Sequence, residues 1–158
     1  MSNTNRIGLD SVVSQELSAL LNDLLANYTI FYQNVRGYHW NIKGAKFFEL
    51  HLKFEELYND LFVKIDEIAE RVLTLGFTPD HNASRYLEIA LIRETNEVND
   101  GNKAVQNILG TFQELLVKQR VILDLSGEIN DEGTNSMMSD YIREQEKLVW
   151  MYSAFLGK

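Results

Sequence analysis

The sequence predicts an all-α protein built as a four-helix bundle, with a short extra helix in the long connection between helices two and three. One proline and nine glycines in 158 residues leave few places for the chain to turn, so its elements are long. Four segments carry apolar residues at three- and four-residue steps, the signature of a helix that buries one face. Two of the breaks between them are short, which makes those neighbours antiparallel, and the middle one is long enough to cross a bundle.

The first helix is read from Leu17, Leu20, Leu21, Leu24, Tyr28, Phe31 and Val35, with Asp10 or Ser11 as its cap and Gly37 as its stop. Phe54, Leu57, Leu61, Ile65, Ile68, Val72 and Leu75 mark the second, ended by Gly76 and Pro79. The run GFTPDHNAS is a loop by composition, and RYLEIALI after it holds one or two helical turns. Val105, Ile108, Leu109, Phe112, Leu115, Leu116 and Ile122 give the third helix, with Gly101 and Gly110 as its weak points. Met138, Tyr141, Ile142, Leu148, Val149, Tyr152, Phe155 and Leu156 give the fourth. Residues 1–158 read as a single domain, with 1–9 as a short N-terminal tail.

Composition narrows the function. There is no cysteine, which removes disulfides and thiolate metal sites. No run of about 18 apolar residues occurs, so no membrane span is expected. The opening MSNTNRIGLDS lacks the apolar centre of a secretory signal, so a cytoplasmic protein is expected. The net charge is −8. Affinity for nucleic acid comes largely from Lys and Arg neutralising phosphates, and the first eleven residues carry only Arg6, so DNA binding is not expected. An acidic chain suits the handling of cations.

Residues able to hold a metal cluster around the second helix. His51 and Glu55 are four apart on one face, as are Asp66 and Glu70, and His39 lies near the end of the first helix. Imidazole with carboxylate suits iron, manganese or zinc. A Glu-x-x-His pair of the intra-bundle di-iron kind does not occur: Arg36, Phe48 and Thr78 stand three residues before His39, His51 and His81. Distance then decides. Fifteen residues separate His51 from Asp66, about 22 Å along a straight helix, whereas a metal holds its ligands within about 2–2.5 Å. One chain cannot bring both pairs to one ion. Two chains laid antiparallel across a two-fold axis can, and symmetry then makes two such sites. The competing reading is ordinary: packed histidines, with Asp66 and Glu70 on a solvated face paired to Lys64 or Arg71.

The segments YHWNIKG, Phe47–His51 and DEIAERVLTLG from Asp66 to Gly76 resemble the Dps family of mini-ferritins, over roughly residues 10–157. The family's ferroxidase site has two histidines twelve apart, an aspartate fifteen further on and a glutamate four beyond. His39, His51, Asp66 and Glu70 match those spacings, Glu55 matches a further acidic position, and Trp40 follows the first histidine as in the family. The resemblance implies a ferritin-like fold and a hollow dodecamer whose iron sites sit between subunits at two-fold interfaces. It implies a ferroxidase that oxidises Fe(II), with hydrogen peroxide as the expected oxidant, stores Fe(III) mineral in its cavity and so protects against oxidative stress.

Further assignments go with that reading. Glu55, Glu56 and Asp60 are candidate nucleation residues for the mineral, against a plain solvated face. Glu128, Asp131 and Glu132 in SGEINDEG are candidate pore residues, although Asp131 or Thr134 also suits a helix cap. Asp124 and Asp140 are lesser candidates, Trp40 is read first as interface packing, and His81 as a solvated loop residue. The rival functions are a DNA-compacting protein and a helical cage without catalysis. A haem-binding bacterioferritin is weaker still, because it needs the missing Glu-x-x-His pairs.

Overall fold

In the computed structural model, which describes residues 3–158, five helices follow one another: α1 (Ser11–Asn41), α2 (Phe47–Thr74), α3 (Ala83–Ile89), α4 (Gly101–Glu128) and α5 (Glu132–Phe155). The four long ones form the bundle, and α3 sits in the connection between α2 and α4. No strand and no helix apolar and long enough to cross a membrane occurs among the described residues. The expected architecture is the observed one.

Helix ends follow side-chain chemistry. Asp10 caps α1 by accepting from the Val12 and Val13 N–H groups at 2.9 and 3.0 Å, which satisfies donors that have no intrahelical partner. Asp100 does the same for α4 through Lys103, and Asp131 for α5 through Thr134. Gly37 does not stop α1. The helix runs on to Asn41, because Tyr38 and Ile42 still reach the core and their burial outweighs the roughly 1 kcal/mol that a helical glycine costs. α2 begins at Phe47, seven residues before the apolar stripe announced it. At Gly101 an added Cβ would lie 2.5 Å from Leu50 Cδ1, so Leu50 would have to turn aside where α4 starts against α2.

The main core cluster draws on all four long helices, with Leu17, Leu21, Leu24, Phe54, Leu61, Ile68, Val105, Ile108 and Phe112 fully excluded from solvent, and a small second cluster of Ala26, Ile30 and Ala90 seats the crossing connection on α1. At its centre stands a closed polar ring. Tyr28 Oη donates to Gln119 Oε1 at 2.5 Å, Gln119 Nε2 donates to Gln145 Oε1 at 2.8 Å, and Gln145 Nε2 donates to Tyr28 Oη at 2.6 Å. The middle of the bundle is thus filled by neutral groups that satisfy one another.

The crossing connection is held by amides of α1. Asn22 accepts from Asp80 N–H, Asn27 from Ile92 N–H and Asn34 from Thr95 N–H, at 2.8–3.0 Å. Asn34 also donates to the Arg93 carbonyl. Irregular backbone against a helix needs such partners, and three asparagines supply them. Of the expected tail, residues 1 and 2 lie outside the described residues. Residues 3–9 fold back: Asn5 donates to Ser14 Oγ and to the Leu75 carbonyl.

Candidate metal centre

The two bundle histidines meet. His39 stands in the last turn of α1 and His51 near the start of α2, across the short α1–α2 turn. Their rings stack with centres 3.8 Å apart and planes 12° from parallel. His39 Nδ1 lies 2.6 Å from the His51 carbonyl oxygen, and His51 Nδ1 lies 2.7 Å from the His39 carbonyl oxygen. A carbonyl only accepts, so each Nδ1 carries the proton and donates. In a neutral imidazole the other nitrogen, Nε2, then holds the free lone pair. The reciprocal bonds fix both rings and leave two adjacent Nε2 atoms outside the brace. Tyr58 packs edge-on to His39 and Phe47 stacks on His51. His39 is buried and His51 half-buried.

Asp66 and Glu70 lie further along α2 and are exposed, while Glu55 is half-buried. Among the described residues no three His, Asp or Glu side chains come close enough to hold a metal ion. The alternative pairing of these carboxylates with Lys64 or Arg71 does not form. Lys64 is 4% exposed and bridges Asp60 and Glu144 at 2.7 and 2.9 Å. Burial works against its charge, but the two hydrogen bonds and the two carboxylate charges outweigh that and hold its pKa above the usual lysine value. Arg71 pairs with Asp131 at 2.6 Å. Asp66 and Glu70 belong to no ion pair among the described residues.

The helix face that carries them explains the rest. Phe48, Leu52, Glu55, Asn59, Phe62, Asp66, Glu70 and Leu73 recur at steps of three and four, so they share one stripe of α2. Phe48 is 85% exposed, Phe62 62%, and Leu52 and Leu73 each 57%. Trp40 at the end of α1 is also exposed, with the Arg36 guanidinium 4.8 Å above its ring. An apolar stripe this bare on a helix with a well-filled core marks a contact surface.

A family model for the ferritin-like domain matches residues 18–158. A protein of Porphyromonas gingivalis called DNA protection during starvation protein is 44% identical over 138 residues, 87% of each chain. The chain belongs to the Dps family of ferritin-like proteins. An uncharacterised protein of Haemophilus influenzae is 55% identical over 98% of this chain and 96% of its own. The crystal structure of Dps from Vibrio cholerae, described as a member of a broad superfamily of ferritin-like diiron-carboxylate proteins, superposes with a TM-score of 0.97 at 58% identity, covering 99% of this chain and 98% of that one.

The outlying expectations separate. Asp131 is not placed to line a pore: its side chain is 1% exposed, caps α5 and holds Arg71. Glu128 and Glu132 on either side of it are exposed, as are Asp124 and Asp140. Among the nucleation candidates, Asp60 is taken by Lys64 and Glu56 pairs with Lys53 at 3.0 Å. Glu55 faces the stripe rather than sharing their side, being one residue, about 100°, from Glu56. His81 is exposed, as expected, with its Nδ1 3.3 Å from the Pro79 carbonyl. The histidine brace and the glutamine–tyrosine ring have no counterpart in the sequence reading. Twelve-residue spacing shows two histidines, but not that a turn folds them onto each other's backbone.

Proposed function

We propose that the chain is a peroxide-using ferroxidase and iron store, with its oxidation site shared between two subunits. The observation that carries this reading is the pair of histidines braced through Nδ1, which presents two Nε2 lone pairs beside a bare apolar stripe whose far end holds Asp66 and Glu70. Laid antiparallel on a second copy, with the axis near the Tyr58–Asn59 step midway between 51 and 66, the stripe puts His39 and His51 of one subunit against the partner's carboxylates. Leu52, Phe62 and their symmetry mates then bury apolar surface around the two sites. Glu55, one turn after His51, is a further ligand.

The substrate is ferrous iron. Two imidazoles and two carboxylates hold it with positions open to the oxidant, and the carboxylates favour the higher charge of Fe(III). Each Fe(II) gives one electron and hydrogen peroxide takes two. Two ferrous ions are thus consumed per peroxide, the O–O bond breaks, and with two protons two waters form. Product Fe(III) is stored as mineral inside a closed shell, expected to be the dodecamer of the family, in the cytoplasm.

Stopped-flow measurement of iron oxidation by peroxide tests the reading. His39→Ala with His51→Ala is expected to lower the rate by at least about tenfold, the scale on which ligand loss acts; an unchanged rate would refute the site. DNA compaction fits less well. The chain is acidic, and its described tail is tied to the bundle through Asn5 instead of reaching out as a basic arm. No gel shift of duplex DNA is expected near 100 mM salt.

A further inference from the structure

The histidine brace has two aromatic neighbours, and only one of them is readily oxidised. Phe47 stacks on His51 with ring centres 4.9 Å apart. Tyr58 stands edge-on to His39, with ring centres 5.2 Å apart and planes at 81°. Packing accounts for both contacts, but a phenol can also give up an electron and its hydroxyl proton, which phenylalanine cannot. Trp40 follows His39 in the chain, yet it is 55% exposed, with the Arg36 guanidinium over its ring.

Arg36 sorts the remaining rings. It lies 4.8 Å from the Trp40 ring centre and 5.3 Å from that of Tyr32. Its charge meets no carboxylate among the described residues, only Gln33 Oε1 at 3.4 Å. A cation on an aromatic face is held by the π electrons, and for the same reason makes the loss of one of them harder. Tyr32 is the next ring beyond Tyr58, edge-on at 6.0 Å. With Tyr32 and Trp40 both against Arg36, Tyr58 is the ring of the three that loses an electron most easily.

We infer that Tyr58 is the one-electron donor of the oxidation site. Two Nε2 atoms and two carboxylates make a donor set for a single ferrous ion, which gives one electron, whereas hydrogen peroxide takes two. Tyr58 supplies the second through its contact with His39. In the first step Fe(II) becomes Fe(III), Tyr58 loses an electron and its hydroxyl proton, the O–O bond breaks, and one water and one hydroxide form. The Tyr58 radical then takes an electron from the next Fe(II) and a proton from water, so two ferrous ions are still consumed per peroxide. With no phenol at hand, one Fe(II) and one peroxide leave Fe(III), hydroxide and a free hydroxyl radical. The inference rests on the shared site proposed above and adds how a one-iron centre handles a two-electron oxidant.

The test loads the full-length protein with one Fe(II) per chain, mixes it without air with one hydrogen peroxide per chain, and freezes it rapidly. Electron paramagnetic resonance reads a tyrosyl radical, and ferric absorbance in the same mixture reads iron oxidation. The wild type is expected to show both. Tyr58→Phe keeps the ring edge on His39, and is expected to oxidise iron, lose the tyrosyl signal and release hydroxyl radical to a spin trap. Tyr32→Phe and Trp40→Phe are expected to keep the signal. Iron oxidised by the wild type without a tyrosyl radical, a signal undiminished in Tyr58→Phe, or a signal lost in Tyr32→Phe or Trp40→Phe would overturn the inference and leave the shared site standing. A wild type that oxidises no iron would refute that reading and the inference together.

Discussion

Two buried tyrosines of similar surroundings should behave oppositely when their hydroxyls are removed. Tyr28 both donates and accepts in the ring with Gln119 and Gln145, so Tyr28→Phe strands a buried amide donor and a buried carbonyl, at about 1–3 kcal/mol. Tyr141 has no such bond, so Tyr141→Phe is expected within about 0.5 kcal/mol of wild type. Urea unfolding of the two variants checks the contrast, and equal losses would contradict the hydrogen-bond assignment. The same logic sets the histidines apart from ordinary core residues. Each closes the other's backbone carbonyl as well as fixing its own ring, so a stacked pair that packs well also has its Nδ1 atoms engaged and its Nε2 atoms left out of those bonds. That detail lies in a turn geometry that spacing alone does not encode. Lys64 was similarly out of reach: Asp60 four residues before it is visible in the chain, but Glu144 arrives from another helix.

At the scale of the element, α2 is a helix with three faces. One is core, one borders α5 with charged side chains, and one exposes Phe48, Leu52, Phe62 and Leu73 with Glu55, Asp66 and Glu70 among them. Periodicity revealed the core face of every long helix, because burial repeats at 3.6 residues and nothing else in the chain does so as regularly. It placed the ends poorly. Gly37 was passed over and α2 began early at Phe47, since tertiary packing of Tyr38, Ile42 and Leu50 decides those turns. The metal-ligating spacing of twelve, fifteen and four was legible, and so was the distance that forbids a one-chain site; the unbroken run of α2 from Phe47 to Thr74 keeps that distance real. The bare face carries its own prediction. Leu52→Asp with Phe62→Asp leaves every proposed ligand in place, and is expected to yield a monomer of unchanged helix content by sedimentation and circular dichroism. Its iron oxidation should fall to the level of the His39→Ala/His51→Ala protein. Full oxidation by a monomer would contradict a site that needs two chains.

For the whole molecule, pH should act at the alkaline end. Tyr28, Tyr141 and Tyr152 are each raised first by burial, Tyr28 despite its bond from Gln145, and Lys64 is raised by its two carboxylates in spite of burial. A folded pKa above the unfolded one gives stability that is complete below the unfolded value and is lost as pH rises through the folded value. The unfolded values are about 10 for tyrosine and 10.4 for lysine. Thermal stability should therefore stay level up to about pH 9.5 and fall beyond it, by roughly 1.4 kcal/mol per pH unit for each tyrosine that titrates only when unfolded. The assembly itself is tested most directly by mixing two dead chains. Let one carry His39→Ala and His51→Ala, and the other Asp66→Ala and Glu70→Ala, and let them be unfolded together and reassembled. A shared site pairs the histidines of the second with the carboxylates of the first, so random two-fold pairing is expected to restore about a quarter of the wild-type sites and their oxidation rate. Recovery to that level is the predicted result, and a mixture as inactive as either chain alone would contradict a centre divided between subunits.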